Sequence, residues 1–221
     1  MRASYESVVA NLMSVVPFSK GLSTPGCWAY PDMLEVGCSH GPGGDNDPGL
    51  SYIEARTHFG AWCIVSSPLI LSHDTNNDTI TDEVWDIISN KEAIAINQAY
   101  DGDSGALFAE SSDTIVLNSV PSLRQASLAL PTSKVGVWQQ WSKKIDATTA
   151  AVLIMNNDES SHTITLDLHA IPTFNSLDSS TGTGTTYQVR DVWSHTDKGK
   201  FSDTVEVVLD SHDSAFFLIK V

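Results

Sequence analysis

The sequence predicts an α/β segment followed by an all-β segment: the last part of a (β/α)8 TIM barrel, incomplete, over residues 1–102, then an antiparallel β-sandwich domain over residues 103–221. Two observations carry this expectation. Up to Gly102 the chain runs in strand–loop–helix units of about 30 to 40 residues, the repeating unit of a barrel that takes about 250 residues to close. Beyond Gly102 it changes to short β-branched runs separated by turn-rich stretches, the texture of a sandwich. About a quarter of a barrel is accounted for, so its sheet edges are expected to be open and sticky.

Each element has a local reason. Val8, Val9, Leu12, Met13 and Val16 recur at helical spacing and predict an amphipathic helix over 4–16, with Ser4 as its cap. Pro25 and Gly26 break the chain before a short segment from Trp28 to Val36. A glycine-rich loop, Gly41 to Gly49, leads to Ser51-Tyr-Ile-Glu54, a capping box that opens a helix to about Val65. Pro68-Leu-Ile-Leu-Ser72 reads as a fully apolar strand, and a polar loop and a last helix over Thr81 to Ser89 complete the second unit. In the β half, Thr114–Leu117, Val135–Trp138, Ala150–Met155, Thr163–Leu168, Tyr187–Trp193 and Ala215–Val221 predict a single sandwich of about seven or eight strands. Ser179–Thr186 is low-complexity and reads as a surface hairpin or loop.

With 221 residues, 41% of them hydrophobic and 18% charged, the chain has material for a sizeable core. Its formal net charge of −15 repels phosphate backbones and anionic lipid, which excludes nucleic-acid and membrane partners. No apolar run reaches the length of a membrane span, and the first residues lack a signal-peptide layout. Cys63 lies in an apolar helical run and is expected to be a buried thiol. Cys27 and Cys38 bracket a strand and loop, and pair only if the chain doubles back between them. His58 and His73 have no companions at metal-ligand spacing and read as structural. Two calcium-loop lookalikes, starting at Asp45 and Asp74, lack the glycine and glutamate such loops need. Gly102-Asp-Ser-Gly105 copies a protease nucleophile turn without the histidine and aspartate that would activate it. Asn77-Asp78-Thr79 is an N-glycosylation acceptor triplet in a polar loop.

Three stretches, Pro25-Gly-Cys-Trp-Ala-Tyr-Pro-Asp-Met-Leu-Glu-Val-Gly37, Arg56-Thr-His-Phe-Gly-Ala-Trp62 and Ser89-Asn-Lys-Glu-Ala-Ile-Ala-Ile-Asn-Gln98, resemble the end of the catalytic barrel of melibiase-type α-galactosidases, glycoside hydrolase family 27. Val189-Arg-Asp-Val-Trp193 and Ser211-His-Asp213 resemble structural segments of the C-terminal sandwich of the same enzymes. The resemblance implies retaining hydrolysis of terminal α-linked galactose, a double displacement by two carboxyl groups about 5 to 5.5 Å apart, with no metal or organic cofactor. In the family both catalytic aspartates precede the matched stretches. They are therefore expected upstream of Met1, with no catalytic residue in this chain and no activity of the chain alone. Arg2 and Glu6 repeat an Arg-x-x-x-carboxylate spacing, but Glu6 falls in the first turn of a helix, where the helix dipole accounts for it.

Asp32 and Met33 match the Asp-Met of the family's Trp-Asn-Asp-Pro-Asp-Met-Leu motif and are expected to bind substrate, the carboxylate accepting sugar hydroxyls and the thioether packing on the ring. Cys27, Ala29 and Tyr30 depart from that motif, so the choice between galactose and its analogues does not carry over. Trp28 is available to stack on a sugar face, whereas Trp62 and Trp85 are expected in the core. Arg190 and Asp191 are expected to form a buried neighbourhood, and Ser211-His212 a hydroxyl–imidazole turn, each stabilising a corner. The implied partner is an α-galactoside carbohydrate, with a homodimer left open, and the implied location of the parent protein is extracellular or vacuolar/lysosomal. The rival reading is a non-catalytic carbohydrate-binding or structural β-sandwich module.

Overall fold

The computed structural model describes residues 2–19, 21–39, 49–117, 134–175 and 185–221. The Gly41–Gly44 stretch, the lookalike loop from Asp45, and Ser179 to Gly184 lie outside them. The first part is helical: α1 (Tyr5–Ser14), α2 (Tyr52–Ile64), α3 (Asp78–Ile88) and α4 (Lys91–Gln98). Ser4 is the N-cap residue of α1, but its side chain makes no capping hydrogen bond. The Ser51–Glu54 capping box at the start of α2 is present in both directions. Sequence reading stopped the helices at Ser89; α4 follows at once because the Asn90 side chain accepts from the backbone N–H groups of Glu92 and Ala93 and starts a new helix.

The two barrel strands reduce to a single parallel bridge between Leu34 and Leu71, in which Leu34 N donates to Ile70 O at 2.8 Å and Ser72 N to Leu34 O at 3.2 Å. Pro68–Ser72 is thus not the fully buried strand its composition predicts. With one neighbour on one side, Ile70 and Leu71 stay exposed, as do Tyr30 and Met33 on the preceding segment.

Ten strands follow among the described residues: β1 (Ala106–Glu110), β2 (Thr114–Val116), β3 (Lys134–Gly136), β4 (Trp138–Asp146), β5 (Thr149–Asn156), β6 (His162–Asp167), β7 (Tyr187–Asp191), β8 (Thr196–Phe201), β9 (Thr204–Leu209) and β10 (Ser214–Lys220). This exceeds the predicted seven or eight. The order β1-β4-β5-β10-β7-β8 makes a six-stranded antiparallel sheet, with β6–β9 and β2–β3 as separate pairs. β8 escaped notice because Thr196-Asp-Lys-Gly-Lys-Phe201 has no alternating apolar face; it forms by pairing with β7 across a short turn.

The six-stranded sheet is the middle layer, and β5 states why. All eight of its residues are buried. Side chains alternate across a strand, so Ala151, Leu153 and Met155 join the core that holds Phe59 and Trp62 of α2, while Ala150, Val152 and Ile154 join the core under β6 and β9. A fully buried Leu or Phe stabilises by about 1.5–3 kcal/mol, so both faces of this strand contribute. α2 approaches closely at Gly60, where a β-carbon would lie 2.8 Å from the Trp193 ring and 3.0 Å from Leu153. The second tie is polar: Lys143 of β4 is buried and donates to the carbonyls of Ile96 at 2.6 Å and Asn97 at 3.0 Å, closing the C-terminal turn of α4.

Trp62 is fully buried, as expected, but Trp85 is 58% exposed. α3 turns Val84 and Ile87 inward, and Trp85 falls outside that stripe. Arg190 and Asp191 do not form a buried neighbourhood. Arg190 is about one-third exposed and clamps Glu92 of α4 through two 2.7 Å hydrogen bonds, while Asp191 accepts from the backbone N–H groups of Trp193 and Ser194. Nor does Ser211 engage His212: the imidazole Nδ1 bonds Glu54 at 2.7 Å and stacks on Tyr5, and Asp213 pairs with Arg56.

Candidate sugar-binding rim

Residues 30–36 and 68–72 run side by side through the Leu34–Leu71 bridge, and Asp32 stands beside it. Its backbone is in the left-handed region at φ 99°, a conformation that costs a non-glycine residue about 1–3 kcal/mol and persists only when its surroundings impose it. Two contacts do so. The Trp62 indole N–H donates to Asp32 O at 2.7 Å, and Met33 N donates to Asp32 Oδ1 at 2.9 Å. Burial acts to raise the Asp32 carboxyl, but the positive amino terminus of the chain and, after it, the Met33 N–H outweigh it and hold the group below the ordinary carboxylate range. An ionised acceptor therefore sits half-buried beside Met33, whose side chain is 39% exposed.

Two further residues gather here that sequence reading did not single out, Glu35 and Ser72, together with Cys38, which it had considered only as a partner for Cys27. Ser72 Oγ donates to Leu34 O at 2.5 Å, lies 3.2 Å from Cys38 Sγ, and is 3.5 Å from Glu35 Oε2. Burial pushes Glu35 up, the Cys38 hydrogen bond partly opposing it, and pushes the Cys38 thiol up to about 11. Glu35 is thus a support turned to its neighbours; the signal that could have found it is its place three residues after Asp32 in the quoted motif. Its backbone N–H donates to His58 Nε2 at 3.0 Å. That bond leaves Nδ1 as the protonated nitrogen of His58, and burial drives the ring down to about 3, so it is neutral. His58 is structural, as expected, and the buried His73 bonds Thr81 Oγ1 at 3.3 Å.

The other expectations fall away from this rim. Trp28 is half-buried and packs edge-on against Tyr100. Ser104 is buried, donating to Ser19 O at 3.0 Å, with no imidazole bonded to its hydroxyl among the described residues. Glu6 is the first-turn acid of α1. Cys27, Cys38 and Cys63 are free thiols, exposed, half-buried and buried in turn. Among the described residues no group of three or more His, Cys, Asp or Glu could hold a metal ion, and no helix is long and apolar enough to cross a membrane. What the rim can do is bind: an ionised acceptor, an exposed thioether and a rigid backbone suit a polyhydroxy ligand with one apolar face.

Two family models match, "Alpha galactosidase A" over residues 3–99 and "Alpha galactosidase C-terminal beta sandwich domain" over residues 135–219. The α-galactosidase of Cyamopsis tetragonoloba is 26% identical over 195 residues, 88% of this chain and 37% of that protein. Among solved structures, α-galactosidase I of Mortierella vinacea superposes with a TM-score of 0.69 at 24% identity, over 98% of this chain and 44% of that one. The Saccharomyces cerevisiae α-galactosidase solved with raffinose superposes with a TM-score of 0.69 at 18% identity, over 96% of this chain and 51% of that one. The chain thus spans about a third to a half of the proteins it matches.

Proposed function

Since the chain belongs to the α-galactosidase (melibiase) family, glycoside hydrolase family 27, through the C-terminal region of its barrel and its β-sandwich, we propose that it serves retaining hydrolysis of terminal α-linked galactose by furnishing one wall of the sugar pocket. In this reading Asp32 accepts hydrogen bonds from sugar hydroxyls and Met33 packs on the ring. The two reacting carboxyl groups, which must stand about 5–5.5 Å apart, come from barrel strands other than the two described here. The observation that supports it best is Asp32 itself: an ionised carboxylate held at positive φ beside paired strand ends, with the strain borne by contacts to the core. The raffinose bound by the yeast relative supports an α-galactoside as the ligand class.

The test is direct. The 221-residue chain is titrated with raffinose while the Met33 amide resonance is followed, and is assayed with a chromogenic α-galactoside; a weak saturable shift at Met33 that Asp32→Ala abolishes, without turnover, is the expected result. A Met33 shift indifferent to Asp32→Ala, or none, overturns the assignment of the rim, and turnover by the chain alone overturns the division of labour. An extracellular or vacuolar/lysosomal location belongs to the same reading, supported by the exposed Asn77 of its acceptor triplet. A mass shift removed by an endoglycosidase and absent in Asn77→Gln tests it.

A further inference from the structure

The sandwich carries a concavity of its own. A groove of about 410 Å³ opens between β9 and the β7–β8 turn, with Arg56 of α2 also lining it. That volume lies in the range of about 300–1,000 Å³ typical of small-molecule sites. Val205, Leu209 and Phe217 give it buried apolar walls, and Trp193 adds a half-buried indole. Lys198 and Glu206 line it as exposed groups of opposite sign, and neither forms an ion pair among the described residues.

These features constrain an occupant. It needs an apolar face for the indole and valines, and both donors and acceptors for Glu206 and Lys198. It has no reason to be charged, since the free groups on the rim balance and the chain as a whole is strongly acidic. A peptide strand pairing with β9 would use the backbone edge but leave the opposed rim charges without a purpose. A pyranose ring, with its C–H face and ring of hydroxyls, meets all three conditions.

We propose that this groove is an ancillary binding site for a neutral oligosaccharide, recognised by Trp193, Lys198 and Glu206. The groove shares no lining residue with the Asp32 rim, and the proposal does not rest on that site. The test follows the indole N–H resonance of Trp193 while the 221-residue chain is titrated with raffinose and, separately, with cellotetraose. A saturable shift with at least one sugar is expected, at a Kd of about 1 mM. Lys198→Ala and Glu206→Ala, both at exposed positions that leave the fold intact, are expected to weaken it about fivefold each, and Asp32→Ala to leave it unchanged. No saturable shift with either sugar overturns the proposal, as does binding indifferent to both rim variants. A shift abolished by Asp32→Ala also overturns it and assigns the binding to the other rim. Movement of β9 amides that tracks protein concentration rather than sugar would show instead a second copy on the strand edge, and overturn it too.

Discussion

The indole N–H of Trp62 donates to the main-chain carbonyl of Asp32 at 2.7 Å. One helical turn earlier, His58 accepts from Glu35 N at 3.0 Å. Residues four apart share a helix face, so α2 offers a matched pair of ties to residues 32 and 35. The rings meet edge to face with centroids 4.1 Å apart, and both residues are fully buried. The rim therefore takes its shape from the core, not from the loop that carries it.

Trp62→Phe keeps an aromatic ring and removes the donor. The loss is expected to be about 1–3 kcal/mol of stability from an unsatisfied Asp32 carbonyl and a smaller ring, and about tenfold in sugar affinity as Asp32 relaxes. Denaturant unfolding and a raffinose titration on the same variant measure both.

Asp32→Gly separates strain from function. Glycine adopts positive φ freely, so the variant is expected to match or exceed wild-type stability by up to about 1 kcal/mol, while Asp32→Ala loses about as much. Both are expected to lose sugar binding at the Asp32 rim. Equal unfolding midpoints for the two variants would remove the case for strain at residue 32.

Lys143 makes stability depend on pH in alkali. Burial lowers it from 10.5 to about 8, so the fold favours the neutral amine. Its contribution is complete above the unfolded value and is lost as pH falls from about 10.5 towards 8. Lys143→Met removes that dependence: the stability of wild type relative to the variant is expected to rise by about 3 kcal/mol across this window. Taking the difference cancels the buried thiols of Cys38 and Cys63, raised in both proteins. A flat difference curve would mean an ammonium fully served by the carbonyls of Ile96 and Asn97.

Gly102-Asp-Ser-Gly105 is expected to matter through its last residue. A β-carbon on Gly105 would lie 2.0 Å from Ile64 O, a main-chain atom, so Gly105→Ala is expected to cost about 3 kcal/mol or more. Ser104→Ala gives up one hydrogen bond to Ser19 O, about 1 kcal/mol, and leaves binding unchanged. Thermal unfolding of the pair checks the order.

The legible parts of the sequence were those with a local cause. The Ser51–Glu54 box, the periodicity of α1 and the apolar run of β5 each announce themselves within a few residues. Asp32 and Met33 stood out through a motif. What stayed hidden was set at long range: β8 exists because β7 offers an edge, Trp85 is exposed because α3 rolled onto Val84 and Ile87, and Arg190 reaches Glu92, 98 residues away, rather than its neighbour Asp191. Glu35, Cys38 and Ser72 meet through the Leu34–Leu71 bridge, which composition alone cannot register.

Thr57 of α2 bonds Ser214 Oγ at 2.9 Å, across 157 residues of sequence. During synthesis on a ribosome the helix emerges long before β10 exists to dry its other side. Phe59 and Trp62 must wait, wet or shielded by a chaperone, until β10 has been read. A cell short of such shielding would lose this protein at birth rather than in service, and a slow codon placed between α2 and β10 would harm its yield more than the same codon placed ahead of α2.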